Sequence, residues 1–144
     1  MALVGSINDH KKSVVVSNTS SRALVGDSGW VTHMTATFTS TEVGPVECHF
    51  AGVHADESGA VNTLGRFNLD SGTTSTECQV HKQGFNYNRS FGSQNAYGIF
   101  NDVAAGSHTV EFQVRNASSS TTGTMCGRNP GAYAADRVEI IYRG

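Results

Sequence analysis

The sequence predicts an all-β sandwich of about eight to ten short antiparallel strands, on three observations. Apolar and polar residues alternate with period two in several stretches, the pattern of a strand with one buried and one solvated face. No segment repeats its apolar residues at helical spacing over two turns. Turn residues (Gly, Asn, Asp, Ser, Pro) recur about every 8–12 residues, as short strands require.

Ser13–Val16 reads as a strand stopped by Asn18-Thr19-Ser20-Ser21, and Arg22–Val25 as a second, closed by Gly26-Asp27-Ser28-Gly29. From Trp30 to Phe38 the alternation sets Trp30, Met34, Ala36 and Phe38 against Val31, His33, Thr35 and Thr37. After Gly44-Pro45, Val46, Cys48 and Phe50 continue the inward set, up to a turn at Ala55-Asp56-Glu57-Ser58-Gly59. Val61–Leu69 is next, with Phe67 and Leu69 inward, and Asp70-Ser71-Gly72 turns the chain. Thr76–His81 points Cys78 and Val80 inward, Phe85–Phe91 is irregular, and Tyr97–Phe100 is a short strand. The cleanest alternation runs from His108 to Arg115: His108, Val110, Phe112 and Val114 face one way, Thr109, Glu111, Gln113 and Arg115 the other. A polar loop, Ala117–Gly123, precedes a last strand, Arg137–Tyr142, with Val138, Ile140 and Tyr142 in phase.

At 144 residues, with 38% hydrophobic and 15% charged side chains, the chain is one domain with enough apolar surface for a single core. The expected division is an N-terminal arm, 1–12, and one domain, 13–144. A net charge of −2, with Lys11-Lys12 the sole adjacent basic pair, argues against nucleic acid as a partner. No apolar run reaches the roughly 18–20 residues that cross a bilayer as a helix. Met1-Ala-Leu-Val-Gly-Ser lacks the charged start and long apolar centre of a signal peptide. Either a longer precursor is trimmed or the protein reaches its site by another route, and assembly onto a virus particle is the expected one. Cys48, Cys78 and Cys126 form no metal-binding spacing. Cys48 and Cys78 both sit on apolar phases, which fits buried free thiols; a Cys48–Cys78 disulfide is the alternative, leaving Cys126 over.

The turn Val103-Ala104-Ala105-Gly106, the strand His108–Arg115 and the closing strand Asp136–Tyr142 resemble the end of C1q/TNF-like jelly-roll domains, of the kind found in phage, bacterial and secreted proteins. The resemblance implies a jelly-roll β-sandwich and a compact homotrimer. Such assembly also makes physical sense, because a closed cyclic oligomer covers a sheet edge and outward aromatics. With no collagen-like stalk and no anchor of the TNF kind in the sequence, receptor and complement roles are not implied.

Gly26-Asp27-Ser28-Gly29 looks like the nucleophile turn of a serine protease. Only His10 precedes it as a base, against the order that chemistry needs, and the four residues make a good β-turn by composition. His33, His49 and His81 fall on outward phases; they read as separate surface or interface histidines rather than a metal set. His54, Asp56 and Glu57 read as a solvated turn. The mixture of aromatics, amides and one Arg over Phe85–Tyr97 suits recognition of a sugar or protein surface, with Tyr87, Asn88, Arg89 and Tyr97 as contacts. Arg128 and Tyr133, in the Gly/Pro loop after Cys126, are a second such pair. Asn18, Asn88 and Asn116 each begin a glycosylation sequon.

The expected protein is thus non-enzymatic, with no cofactor and no metal. It is a trimeric component of a virion surface: a capsid decoration (cement) protein or a fibre tip, in contact with itself and a major capsid or fibre protein. The alternative is a secreted or cell-surface lectin-like jelly roll that binds a glycan. Either places it on a virion surface or outside the cell.

Overall fold

The computed structural model describes residues 11–24, 29–56, 62–75, 78–82, 91–117, 123–126 and 135–144. These carry eleven strands: β1 (Lys11–Asn18), β2 (Ser21–Leu24), β3 (Val31–Ser40), β4 (Gly44–Asp56), β5 (Asn62–Leu69), β6 (Thr73–Thr74), β7 (Cys78–Lys82), β8 (Phe91–Val103), β9 (Gly106–Asn116), β10 (Gly123–Cys126) and β11 (Asp136–Arg143). No helix occurs among the described residues.

All pairings are antiparallel, in two sheets. In the first, β1 pairs β11 and β11 pairs β4; β8 runs along the opposite edge of β4, and β10 continues past β11 to carry β2. In the second, β3 pairs β9, β9 pairs β5, and β5 pairs both β6 and β7. Taking the eight main strands in chain order, the sheets read β1-β11-β4-β8 and β3-β9-β5-β7. That is the jelly-roll arrangement of two interleaved Greek keys.

The core follows from the alternation. Val46, Cys48 and Phe50 of β4, Val138 and Ile140 of β11, and Val110, Phe112 and Val114 of β9 are all 2% exposed or less. Phe50 and Phe112 stack across the two sheets with centroids 4.1 Å apart, and Phe67, the register partner of Phe112, lies 5.1 Å from it. Nearer the Arg143 end, Phe38 packs on Tyr142 at 4.7 Å. Cys48 is a free thiol, fully buried, and burial pushes its pKa up to about 12. It is therefore an inert core residue, not half of a bridge to Cys78, which is described only as backbone at the start of β7.

β4 runs through the expected turn at 55–56, and β8 is far longer than its apolar centre suggested. Neither β6 nor β10 is expected from the sequence; β10 forms where a polar loop and a Gly/Pro segment meet. β1 begins at Lys11, so it takes in the last two residues of the expected arm. The first ten residues lie outside the described set.

A change of phase in β3 has the largest effect on residue placement. The pairing with β9 shifts register between Thr32 and Met34, so His33 and Met34 are both buried, at 5% and 4% exposed. A bulge of this kind adds one residue to one strand and turns the preceding side chains to the other face. His33, expected outward, points inward. Trp30, expected inward, instead lies against the guanidinium groups of Arg66 and Arg115, 4.2 and 5.1 Å from its ring centroid.

His33 Nε2 donates to Asp136 Oδ2 at 2.6 Å, with both side chains fully buried, and the ring edge meets Phe50. This joins the sheets at the end opposite Tyr142. Asn18 donates to the His33 carbonyl at 3.3 Å. Gly52 makes the room: a methyl there would collide with Asp136 Oδ1 and come within 2.5 Å of Phe50 Cζ. Gly52→Ala is accordingly expected to cost about 1–3 kcal/mol by overpacking. Urea unfolding checks this; an unchanged midpoint would contradict it.

Candidate functional site

The outer face of the β1-β11-β4-β8 sheet displays exposed large hydrophobic side chains among polar ones. Strand register lines up two rows across it. Val15, Glu139, His49 and Tyr97 form one row; Ser13, Ile141, Glu47 and Ile99 form the next. Each belongs to the phase opposite the core set on its strand, so inward packing dictates outward display. Of the four large hydrophobic residues that stand exposed among the described residues, Val15, Tyr97 and Ile99 are here, 44%, 50% and 44% exposed; the fourth, Val43, is on the turn before β4.

The charged groups among them are few and close. His49 Nε2 is 3.8 Å from Glu47 Oε2, and the His49 ring meets Tyr97 edge-on at 4.9 Å. Arg137 Nη2 is 3.6 Å from Glu139 Oε2. Small Ala51 leaves a depression between them, a groove of about 440 Å³ lined by His49, Asn95, Tyr97, Arg137 and Glu139.

The outer face of the other sheet is built differently. Arg66 Nε donates to Gln113 Oε1 at 2.9 Å, and Gln113 Nε2 to Glu111 Oε2 at 3.0 Å. Asn68 Nδ2 donates to the same carboxylate oxygen at 3.2 Å. Thr35, Thr37 and Thr39 display hydroxyls along β3, and Thr39 bonds Ser107 at 3.2 Å. One face is a hydrogen-bonded polar surface at ease in water; the other exposes apolar area that water solvates poorly.

Two His–Asp pairs were not legible in the sequence, and neither is arranged for acid–base catalysis. The His33–Asp136 pair is sealed in the core. The second pair is at the Arg143 end, where His108 Nδ1 donates to Asp70 Oδ2 at 2.7 Å. This is how a hydrolase orients its base, but His108 Nε2 faces the Ala104 carbonyl at 2.8 Å. A carbonyl only accepts, so Nε2 carries the proton and has no lone pair for a nucleophile. The clearest sequence motif, Ala104–Val110, is thereby explained as structure: a carbonyl at Ala104, a glycine at 106 with φ +139°, an imidazole and a strand.

Of the residues expected to contact a ligand, Tyr97 is exposed on the apolar face. Tyr87, Asn88, Arg89, Arg128 and Tyr133 lie outside the described residues. His49 is on the outer face as expected; at 54 and 81 only the backbone is described. Asn116 is fully buried, which closes its sequon to modification in the folded chain, and the Asn18 amide is engaged by His33 and Ser20. Among the described residues no three His, Cys, Asp or Glu side chains gather as metal ligands.

Fold and face together define a jelly-roll sandwich with three large hydrophobic side chains exposed on one sheet face. No family model and no curated protein sequence matches the chain. Solved structures do. A protein in the structure of infectious bursal disease virus, Gt strain, superposes with a TM-score of 0.57 at 9% identity, covering 94% of this chain and 33% of that one. The VP2 subviral particle of infectious bursal disease virus gives 0.50 at 11% identity, covering 94% and 38%. The chain thus spans between 33% and 38% of the length of these neighbours, and at such identities the likeness is one of fold.

Proposed function

We propose that this chain is a non-enzymatic structural component of a virus particle. It works as a homotrimer held together through the outer face of the β1-β11-β4-β8 sheet. The observation that carries the proposal is the contrast between the two outer faces: Val15, Tyr97 and Ile99 stand in water on one, while a hydrogen-bonded ladder covers the other. Each is already about half covered, so burying the remainder against another copy is worth about 0.7–1.5 kcal/mol per side chain. The strand order supports the jelly-roll likeness to C1q/TNF-like domains, whose habit is the three-fold trimer. The likeness to particles of infectious bursal disease virus supports a place in a virion. In this reading the trimer decorates a capsid or ends a fibre, with a major capsid or fibre protein as its further partner.

Sedimentation velocity on wild type and on the double variant Tyr97→Glu/Ile99→Glu tests the face. Wild type is expected to sediment as a trimer, and the double variant as a monomer with an unchanged circular dichroism spectrum. A double variant that stays trimeric would place the contact elsewhere.

The groove beside Tyr97 favours a second reading, a lectin-like module. A half-exposed aromatic ring next to Asn95, Arg137 and Glu139 has the composition of a sugar subsite. Glycan-array binding that is lost in Tyr97→Ala would support it; no bound glycan in either protein would end it.

A further inference from the structure

Two turns, 70–72 and 104–105, meet His108 at the Arg143 end of the sandwich. We infer that Asp70 and His108 form a proton-operated clip that fastens the 70–72 turn to the start of β9, closed while the His108 ring holds both protons and loosened when it loses one.

The geometry requires both protons. His108 Nδ1 lies 2.7 Å from Asp70 Oδ2, and Nε2 lies 2.8 Å from the Ala104 carbonyl. Both partners are acceptors, so only the imidazolium satisfies them together. A neutral ring would turn a lone pair toward one of these oxygens at contact distance. Asp70 is the other half of the clip. Its backbone N–H donates to the Thr109 carbonyl at 2.9 Å, and its Oδ1 accepts from the Thr109 N–H at 2.8 Å. The residue holds this position at φ 49°, in a left-handed conformation that Asp tolerates better than most residues.

The surroundings leave the titration to this pair. The β3 side offers the Phe38 ring, 5.3 Å from the imidazole, together with the hydroxyls of Thr37 and Thr39; none of these titrates in the relevant range. From the end of β8, Asp102 lines the same depression, of about 390 Å³. The His108 side chain is 12% exposed and that of Asp70 47%, so protons exchange without unfolding.

The directions of the pKa shifts agree. The Asp70 hydrogen bond raises His108 above its ordinary 6.5; partial burial opposes this, and the Ala104 carbonyl and the Asp70 charge add to the rise. Partial burial pushes the Asp70 carboxyl up, but the His108 hydrogen bond, the Thr109 amide and the imidazolium charge outweigh it and hold the group below 3.8. A raised histidine contributes stability that is fully present below its unfolded pKa and is lost as pH rises through the folded one. A lowered carboxyl contributes stability above its unfolded pKa, lost as pH falls through the folded one. The clip is therefore closed between the two folded-state values and opens first on the alkaline side.

Two measurements on the full chain test it. Nitrogen-15 shifts of the His108 ring should show both nitrogens protonated at about pH 6, with a midpoint above the free-histidine value. Hydrogen exchange at the Thr109 amide, corrected for intrinsic pH dependence, should lose about tenfold in protection by about pH 9, the worth of a charge-assisted hydrogen bond. In Asp70→Asn the His108 midpoint should move down, while in His108→Gln the Thr109 protection should be low at every pH. Amides of Val110 and Phe112 report that each variant is folded. A His108 ring with a single proton at pH 6, or Thr109 protection that is flat across the range in wild type, would overturn the inference.

Discussion

Asp136→Ala is expected to destabilise the protein by about 3–5 kcal/mol, the cost of removing one member of a buried pair. Thermal unfolding should register this as a fall in Tm of roughly 10–20 °C for a domain of this size. The reason is local. Asp136 Oδ2 accepts the hydrogen bond of His33 Nε2–H at 2.6 Å where neither side chain meets solvent, so truncation leaves a buried imidazole N–H with nothing to donate to. His33 Nδ1 is already buried without a hydrogen-bond partner, so the ring would then have neither nitrogen satisfied. His33→Ala should be similarly costly, and the double variant should cost clearly less than the sum, because the second removal takes away a group the first has orphaned. Additive costs would mean that the two residues are not coupled.

Phe112→Ala is expected to cost a comparable 3–5 kcal/mol, by a different mechanism. Phe112 is fully buried, stacks on Phe50 of the opposite sheet at an interplanar angle of 15° and touches Phe67 on its own. Removing the ring opens a cavity midway between two sheets whose backbones are fixed by their ladders, so the walls cannot collapse into it. Phe112→Leu keeps most of the volume and should lose well under half as much. Thr37→Ala, on the polar outer face, should stay within about 0.5 kcal/mol of wild type. Chemical denaturation of the three variants orders them; equal losses would contradict the packing described.

The core was legible because burial leaves a period-two trace. Val110, Phe112 and Val114, like Val46, Cys48 and Phe50, could be placed inward from their spacing alone, and that spacing equally assigned His49 to the outer face. What did not show was anything that breaks the period or joins distant segments. The bulge at Thr32–Met34 shifts the phase with no Gly or Pro to mark it, so His33 and Trp30 were assigned to the wrong faces. Asp136 and His33 are 103 residues apart, and only the packing of β11 over β3 brings them together. Asp70 read as a turn residue, which it is, but its carboxylate serves Thr109 and His108 on a strand that alternation alone could not place beside it. The apolar face had the same fate. Val15, Tyr97 and Ile99 lie on different strands, and only the register of β1 with β11, β11 with β4 and β4 with β8 gathers them onto one surface.

That gathered surface carries the functional account, and a native mass measurement on the wild-type chain at micromolar concentration tests it most directly. The account predicts a single dominant species of three 15.2 kDa copies. A species of one copy at every concentration would contradict it, since Val15, Tyr97 and Ile99 would then face water with nothing to cover them.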